Sequence, residues 1–285
     1  MNTTKKKLMN NPPVIKYYDV ADEVVAFSTT RHGGFGKGAY SDFNINEYCG
    51  DDADTVIRNR EALCEELGMD AKNIIMPHQT HGTEIRVIGP EFLELSSNSR
   101  RMVLEGVDAL MTSVRGVCIG VSTADCIPVL LYDIDSHAVC AVHAGWRGTL
   151  ENICENALIQ MEACGAVRQN MICAIGPAIG PCCYEVDADF AARFFERFGQ
   201  NLCHGLFVSV ENGKYRCDLK TLNARLLCAS GVPQAQIDVS TCCTACDPHL
   251  FFSHRATQGK RGTMGAVIEV PENAGTHETK MALRL

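Results

Sequence analysis

Two stretches of this chain carry groups that could do chemistry at short range. Ala124-Asp125-Cys126 precedes a hydrophobic run over 127–132. A second run over 138–142 ends in His143-Ala144-Gly145-Trp146-Arg147-Gly148-Thr149. The break at 133–136 reads as a tight connection between two strands. If they pair as a hairpin, the start of one lies beside the end of the other, which brings the Cys126 thiol to the His143 imidazole. Farther upstream stand His78 and His81. In extended chain these two point to opposite faces, so only one of them is expected in a site. A thiolate with two imidazoles is a zinc set, and three protein ligands leave a fourth position open, as catalytic zinc sites do. The rival reading makes Cys126 a nucleophile activated by His143 and oriented by Asp125. A second histidine is then idle, which favours the metal.

The cations divide among several segments. Thr30-Arg31-His32-Gly33-Gly34-Phe35-Gly36 is a glycine-rich turn where Arg31 could reach a phosphate. It lacks the GxxxxGK[ST] pattern of a P-loop. Gly145 to Thr149 leads into a helix expected over 150–164, with Gly148 or Thr149 as its cap. A helix start with glycines and Arg147 suits an anion; the plainer alternative is a packed Trp146 and a solvated Arg147. Cys242-Cys243-Thr244-Ala245-Cys246 contains one CxxC. A zinc ribbon needs a second pair of like spacing, and the sequence offers none, so buried thiols are expected there.

The remaining chain supplies elements to hold these groups. Strands are expected at 14–18, 24–29, 108–112, 117–122, 171–175, 237–240 and 265–270, and a strand with a polar interruption over 74–88. Helices are expected at 51–68, where Gly68 suits the C-terminal cap, and at 187–198 and 219–230. Asn212-Gly213 marks a hairpin between 207–210 and 214–217. Residues 91–106 read as a surface loop, and the last fifteen as a tail.

Composition excludes several classes. A net charge of −8 argues against nonspecific nucleic-acid or anionic-membrane binding. No run of about 18 apolar residues exists to span a bilayer. Lys5-Lys6-Lys7 is followed by only two apolar residues before Asn10-Asn11-Pro12-Pro13, which is no secretion signal. The 16 cysteines are therefore expected as reduced thiols in a cytoplasmic protein.

Taken together, Gln79-Thr80-His81-Gly82, Asp108-Ala109-Leu110, Ala124-Asp125-Cys126, His143 to Gly148, the loop from Gly176-Pro177 to Cys183-Tyr184-Glu185-Val186, and Phe252-Ser253 with Arg255 resemble the YfiH-like family. That family was formerly called the laccase-domain or multicopper polyphenol oxidoreductase family. The matches run in order from about residue 29 to about 268.

The resemblance implies a single catalytic domain over 1–285 with an α/β/β/α sandwich of mixed sheets, in the α/β (α+β) class. It implies zinc held by His81, Cys126 and His143, with His78 a neighbour. It implies phosphorolysis of adenosine, inosine and methylthioadenosine to free base and (methylthio)ribose 1-phosphate, with adenosine deamination as a side activity. Arg31, Arg147, Arg255 and Arg261 are the candidate phosphate contacts. Asn44 is a candidate for sugar or phosphate. Asp125 is the candidate acid/base, beside Arg147 and Cys126 in the catalytic set. The chain departs from the family's Ser-Tyr-Arg-Arg pattern at Ser253-His254-Arg255-Ala256, so Arg255, Lys260 and Arg261 compete for the last arginine place. The expected partners are a nucleoside and phosphate, in a monomer or homodimer. The alternatives are a copper-dependent polyphenol oxidase, for which nine histidines are few, a cysteine or zinc amidase editing peptidoglycan precursors, and a noncatalytic zinc-stabilised protein.

Overall fold

The computed structural model describes residues 11–272. The N-terminal lysines, and the expected tail apart from Pro271 and Glu272, lie outside the described residues. The strands are β1 (Ile15–Tyr17), β2 (Val25–Thr29), β3 (Ile74–Ile75), β4 (Ile85–Val87), β5 (Ala109–Thr112), β6 (Cys118–Thr123), β7 (Ile127–Asp133), β8 (Val139–Ala144), β9 (Met171–Ile175), β10 (Glu185–Asp187), β11 (Phe207–Ser209), β12 (Lys214–Cys217), β13 (Ile237–Val239) and β14 (Met264–Glu269). The α-helices are α1 (Ala53–Leu67), α2 (Ser97–Leu104), α3 (Trp146–Leu150), α4 (Ile153–Ala163), α5 (Ala188–Cys203), α6 (Leu219–Ala229) and α7 (His254–Thr257).

Two mixed sheets make the centre. One runs β13-β9-β7-β8-β5-β4 and the other β1-β2-β14-β6-β3; a small antiparallel sheet, β10-β12-β11, lies apart. Side-chain alternation explains their stacking. Along β7 and β8, Leu130, Tyr132, Val139 and Ala141 join Ile119, Val121, Ala266 and Ile268 in a core between the sheets. Their neighbours Val129, Leu131, Cys140 and Val142 face the other way, against Ala157, Leu158 and Met161 of α4 and Leu222 and Leu226 of α6. On the far side of the second sheet, Phe27 and Val267 pack on Ala62, Leu63 and Leu67 of α1. The layers are therefore α/β/β/α, as the resemblance implies.

Local chemistry sets the element ends. Asp52 caps α1 by accepting from the Thr55 amide at 2.9 Å, and Gly68 closes it in the left-handed conformation at φ 70°. β7 and β8 form the expected hairpin, with Ile127 opposite Ala144 and Pro128 opposite His143.

Three expectations change. The interrupted strand over 74–88 is two strands in different sheets: β3 pairs with β6, β4 with β5, and 76–84 crosses between the layers. The surface loop over 91–106 contains α2, capped by Ser96, whose Oγ accepts from the Ser99 amide. The helix over 150–164 is broken at Asn152, which takes φ 55°. α3 and α4 are consequently separate, and Gly148 and Thr149 are buried inside α3 rather than capping the longer helix. Thr149 Oγ1 accepts from Asn223 Nδ2 at 3.1 Å, a packing contact to α6.

Candidate metal centre

His81 stands on the crossing segment 76–84. Gln79 fastens that segment to the end of β6, donating to the Ser122 carbonyl at 2.9 Å and accepting from the Ser122 amide at 2.6 Å. The turn then wraps a buried carboxylate. The amides of Thr80, His81 and Gly82 all donate to Asp108, at 3.2, 3.0 and 2.8 Å. His81 itself has φ 63°, the left-handed turn that lets successive amides converge.

Cys126 and His143 arrive by the β7–β8 hairpin. The His143 amide donates to the Asp108 carbonyl at 2.8 Å, and its Nδ1 lies 2.7 Å from Asp108 Oδ1. With Nδ1 committed to a carboxylate, Nε2 is left for a ligand. The donor atoms of His81, Cys126 and His143 all lie within 4.8 Å of one another. The two imidazoles meet edge to face, 4.9 Å between centroids. Gly145 lines the site: a Cβ there would lie 3.1 Å from His81 Cδ2, 3.4 Å from Cys126 Sγ and 3.5 Å from His143 Cε1.

The electrostatics suit a metal. Burial pushes the Cys126 thiol up, but the charge and hydrogen bonds of His143 and His81 outweigh it and hold the thiol at about 6. Burial pushes His143 down, and the facing thiolate and Asp108 reverse this to about 9. Burial likewise opposes ionisation of Asp108, yet His143 and the turn amides keep its carboxyl below the usual carboxylate range. An ionised sulfur, two imidazoles and a carboxylate orienting one of them form a set that a divalent ion fits.

His78 is turned away from this centre, stacked on Tyr48 at 4.0 Å with Nδ1 2.8 Å from Glu105. Asp125 lies next to Cys126 but faces elsewhere. It takes φ 86°, and both its oxygens are occupied: Oδ1 accepts from Thr244 Oγ1 and Oδ2 from the Arg255 amide, each at 2.6 Å. Asp125 thus ties two distant loops to the start of β7. The carboxylate orienting a site histidine is Asp108.

The cation candidates separate by their partners. Arg31 donates to the carbonyls of Ser41 and Pro248 and covers the Phe252 ring. Arg255 donates to the carbonyls of Cys183 and Glu185 and stacks on Tyr184. Arg147 is exposed over Trp146, whose ring packs on Phe190. Lys260 is exposed. Arg261 differs, because its Nε is buried without a hydrogen-bond partner. It lies three residues before Met264, which pairs with Thr123 at the end of β6, close in sequence to Cys126.

Asn44, the candidate for sugar or phosphate, is committed inside the protein. It is fully buried, donating to the Asn46 carbonyl and Asp51 while accepting from the Thr263 amide. Every polar atom it has is used within the protein, and its effect is to hold the segment that follows Arg261.

Two residues with clear roles in the fold have none that the sequence discloses. Asp108 stands in a recognisable Asp-Ala-Leu run, but its function depends on partners far away in sequence. Thr244 sits inside the CxxC and gives no signal of its own.

Residues 25–271 match the family described as multi-copper polyphenol oxidoreductase laccase. The chain belongs to this family. It is 36% identical over 261 residues to a purine nucleoside phosphorylase of Bacteroides thetaiotaomicron, covering 91% of this chain and 95% of that protein. It is 40% identical over 232 residues to the adenosine deaminase RL5 of an unknown prokaryotic organism, covering 81% and 88%. Among solved structures, the hypothetical protein YfiH of Bacillus licheniformis superposes with a TM-score of 0.83 at 31% identity, covering 90% of this chain and 97% of that one. The YfiH-like resemblance and its fold are thereby shown. The laccase name implies a metal, and the His81–Cys126–His143 group is one place in this family member where one fits. Among the described residues, no helix is long and apolar enough to cross a membrane.

Proposed function

We propose that this protein is a zinc-dependent purine nucleoside phosphorylase acting on adenosine, inosine and methylthioadenosine, with adenosine deamination as a side activity. The observation that carries the reading is the His81–Cys126–His143 group with Asp108 bound to His143 Nδ1. The names of the relatives at 36% and 40% identity support nucleoside chemistry. Zinc, when bound there, supplies a Lewis acid with an open position. One thiolate and two imidazoles hold a single ion, too few for the several coppers of a multicopper oxidase, so the copper-oxidase reading is the weaker one.

The chain's own residues then have distinct tasks. Asp108 holds His143 in one tautomer and fixes the turn bearing His81. Asp125 positions the Thr244 and Arg255 loops, a better account of its two occupied oxygens than proton transfer. Arg261, with its buried Nε lacking a protein partner, is the phosphate contact we favour, with exposed Arg147 second. In phosphorolysis a phosphate oxygen forms the bond to C1′ as the C1′–N9 bond breaks. The electron pair leaves with the base, which takes up a proton. Binding and orientation of phosphate supply much of the acceleration such a reaction needs. We place the enzyme in the cytoplasm as one catalytic domain, monomeric or dimeric.

A second reading has one observation in its favour. Cys126, His143 and Asp108 also line up as thiolate, imidazole and orienting carboxylate, the order of a cysteine hydrolase. His81 beside the same sulfur has no task in that scheme.

The test is to incubate zinc-loaded protein with adenosine, with and without phosphate. Adenine and ribose 1-phosphate should appear only with phosphate, and inosine without it. Zinc-loaded protein releasing no adenine would sink the phosphorylase reading. Turnover of an amide by metal-free protein would support the hydrolase.

A further inference from the structure

A second cluster of sulfur stands outside the centre described above. The CxxC at Cys243 and Cys246 has no like-spaced pair in the sequence, but the fold brings it one. Cys182 and Cys183, from the loop after β9, lie against it, and the four Sγ atoms are all within 4.8 Å of one another. Cys246 Sγ is 3.3 Å from Cys182 Sγ and 3.3 Å from Cys183 Sγ. These distances are too long for a disulfide, in which sulfurs sit about 2.05 Å apart. They suit one tetrahedral ion: zinc–sulfur bonds of about 2.3 Å place the sulfurs roughly 3.8 Å apart. Sulfurs bound to different irons of a cluster spread wider than this group does.

Polar groups converge on the cluster, one of them on a sulfur itself. The Gly180 amide donates to Cys243 Sγ at 3.2 Å. A Cβ on Gly180 would lie 3.3 Å from Cys243 Cβ and 3.4 Å from Cys182 Sγ, so the glycine lets the backbone approach the cluster. The buried Lys220 ammonium donates to the carbonyls of Ser240 and Cys242, at 2.6 and 2.8 Å, and sets a positive charge beside the group. Lys16 Nζ lies 3.2 Å from Cys242 Sγ. Cys182 and Cys246 are exposed, so an ion has a route in.

We propose that Cys182, Cys183, Cys243 and Cys246 form a second metal site, a closed tetrathiolate site for zinc with a structural role. Four protein ligands leave no open position, which separates it in kind from the His81–Cys126–His143 group. Binding replaces four thiol protons with one divalent ion, with no change in oxidation state. The site staples the loop of 176–184 to that of 241–251. Those loops carry the two groups that meet Asp125 and its neighbour: Thr244 donates to Asp125, and Cys183 offers its carbonyl to Arg255. The ion therefore fixes one wall beside the first centre.

The experiment counts metal in the full chain purified anaerobically with zinc. Wild type should hold two zinc per chain, Cys126→Ala one, and the double variant Cys182→Ser/Cys246→Ser one. In case the double variant fails to fold, Cys126→Ala is loaded with cobalt. It should show the tetrahedral bands of cobalt with the charge-transfer intensity of four thiolates. One zinc in wild type with none in Cys126→Ala would overturn the site. So would a Cys182–Cys246 disulfide in anaerobically purified, metal-free chain. Nucleoside turnover plays no part in the count, so failure of the phosphorylase reading leaves this result intact, and the reverse.

Discussion

Asp108 and His143 are joined twice, by the backbone bond from the His143 amide to the Asp108 carbonyl at 2.8 Å and by the side-chain bond at 2.7 Å. The first continues the β5–β8 pairing one residue beyond β5, and the second fixes the imidazole. One residue thereby anchors the end of that pairing and holds a metal-ligand candidate in one tautomer. Asp108→Asn keeps the shape but loses the charge and one acceptor for the Thr80–Gly82 amides. We expect zinc affinity at the first centre to fall about 10–100-fold, read by competition with a chromophoric chelator. Unchanged affinity would remove Asp108 from the centre's machinery.

Asp125 offers a sharper contrast. A positioning role predicts that Asp125→Asn lowers kcat/KM without removing a limb of the pH–rate profile, since no proton passes through it. An acid or base there predicts loss of that limb. Thr244→Val, which removes only one of its bonds, should cost roughly 1–2 kcal/mol in thermal unfolding and reduce activity in the same direction as Asp125→Asn.

Arg261 should behave unlike the other arginines. Its Nε has no protein partner, so Arg261→Met is expected to leave Tm nearly unchanged while raising the KM for phosphate by about 10-fold or more, on the scale of one charged hydrogen-bonded contact. Phosphate-independent deamination should persist. An equal loss of both activities would mean that Arg261 holds the nucleoside or the fold.

Removing the metals with a strong chelator should expose Cys126 to alkylation, followed by mass spectrometry of the modified peptide. Zinc-loaded protein should be protected at Cys126. Equal labelling in both states would mean that the thiol is not a ligand.

Glu269 gives a dependence on pH that is independent of both sulfur sites. Burial raises its carboxyl from 4.5 to about 7, and Oε2 has no hydrogen-bond partner. Between those values the folded chain holds more protons than the unfolded one, so this group makes stability fall as pH rises from about 4.5 to about 7, with no further change above. The full span is on the order of 3 kcal/mol. Glu269→Gln should flatten that slope and raise Tm at pH 8. A variant whose melting curve parallels wild type from pH 5 to 8 would show Glu269 to be ionised and solvated.

Part of the site is legible in the amino-acid sequence. Apolar runs on either side of 133–136 mark the β7–β8 hairpin, and a hairpin by itself brings Cys126 to His143. The choice of His81 over His78 comes from the motif around it, since spacing alone leaves both open. The break at Asn152 leaves no trace, because an isolated left-handed asparagine interrupts neither apolar pattern. The arginines all look alike as cations; only tertiary contacts show that Arg31 and Arg255 spend their donors on carbonyls while Arg261 does not. The cysteine cluster is hidden because a zinc ribbon pattern consists of two CxxC pairs, and here an adjacent Cys182-Cys183 meets one CxxC from a loop far along the chain.

The segment that bears His81 crosses from β3 in one sheet to β4 in the other, whereas Cys126 and His143 flank a single hairpin. Two donors therefore come together within one hairpin, and the third arrives only when the amides of Thr80, His81 and Gly82 have closed on Asp108, at the head of the strand that pairs with β8. Occupancy of the first centre is then a report on assembly: a chain whose turn has not closed on Asp108 offers an ion two ligands, and a chain that holds it firmly has completed this part of the sheet.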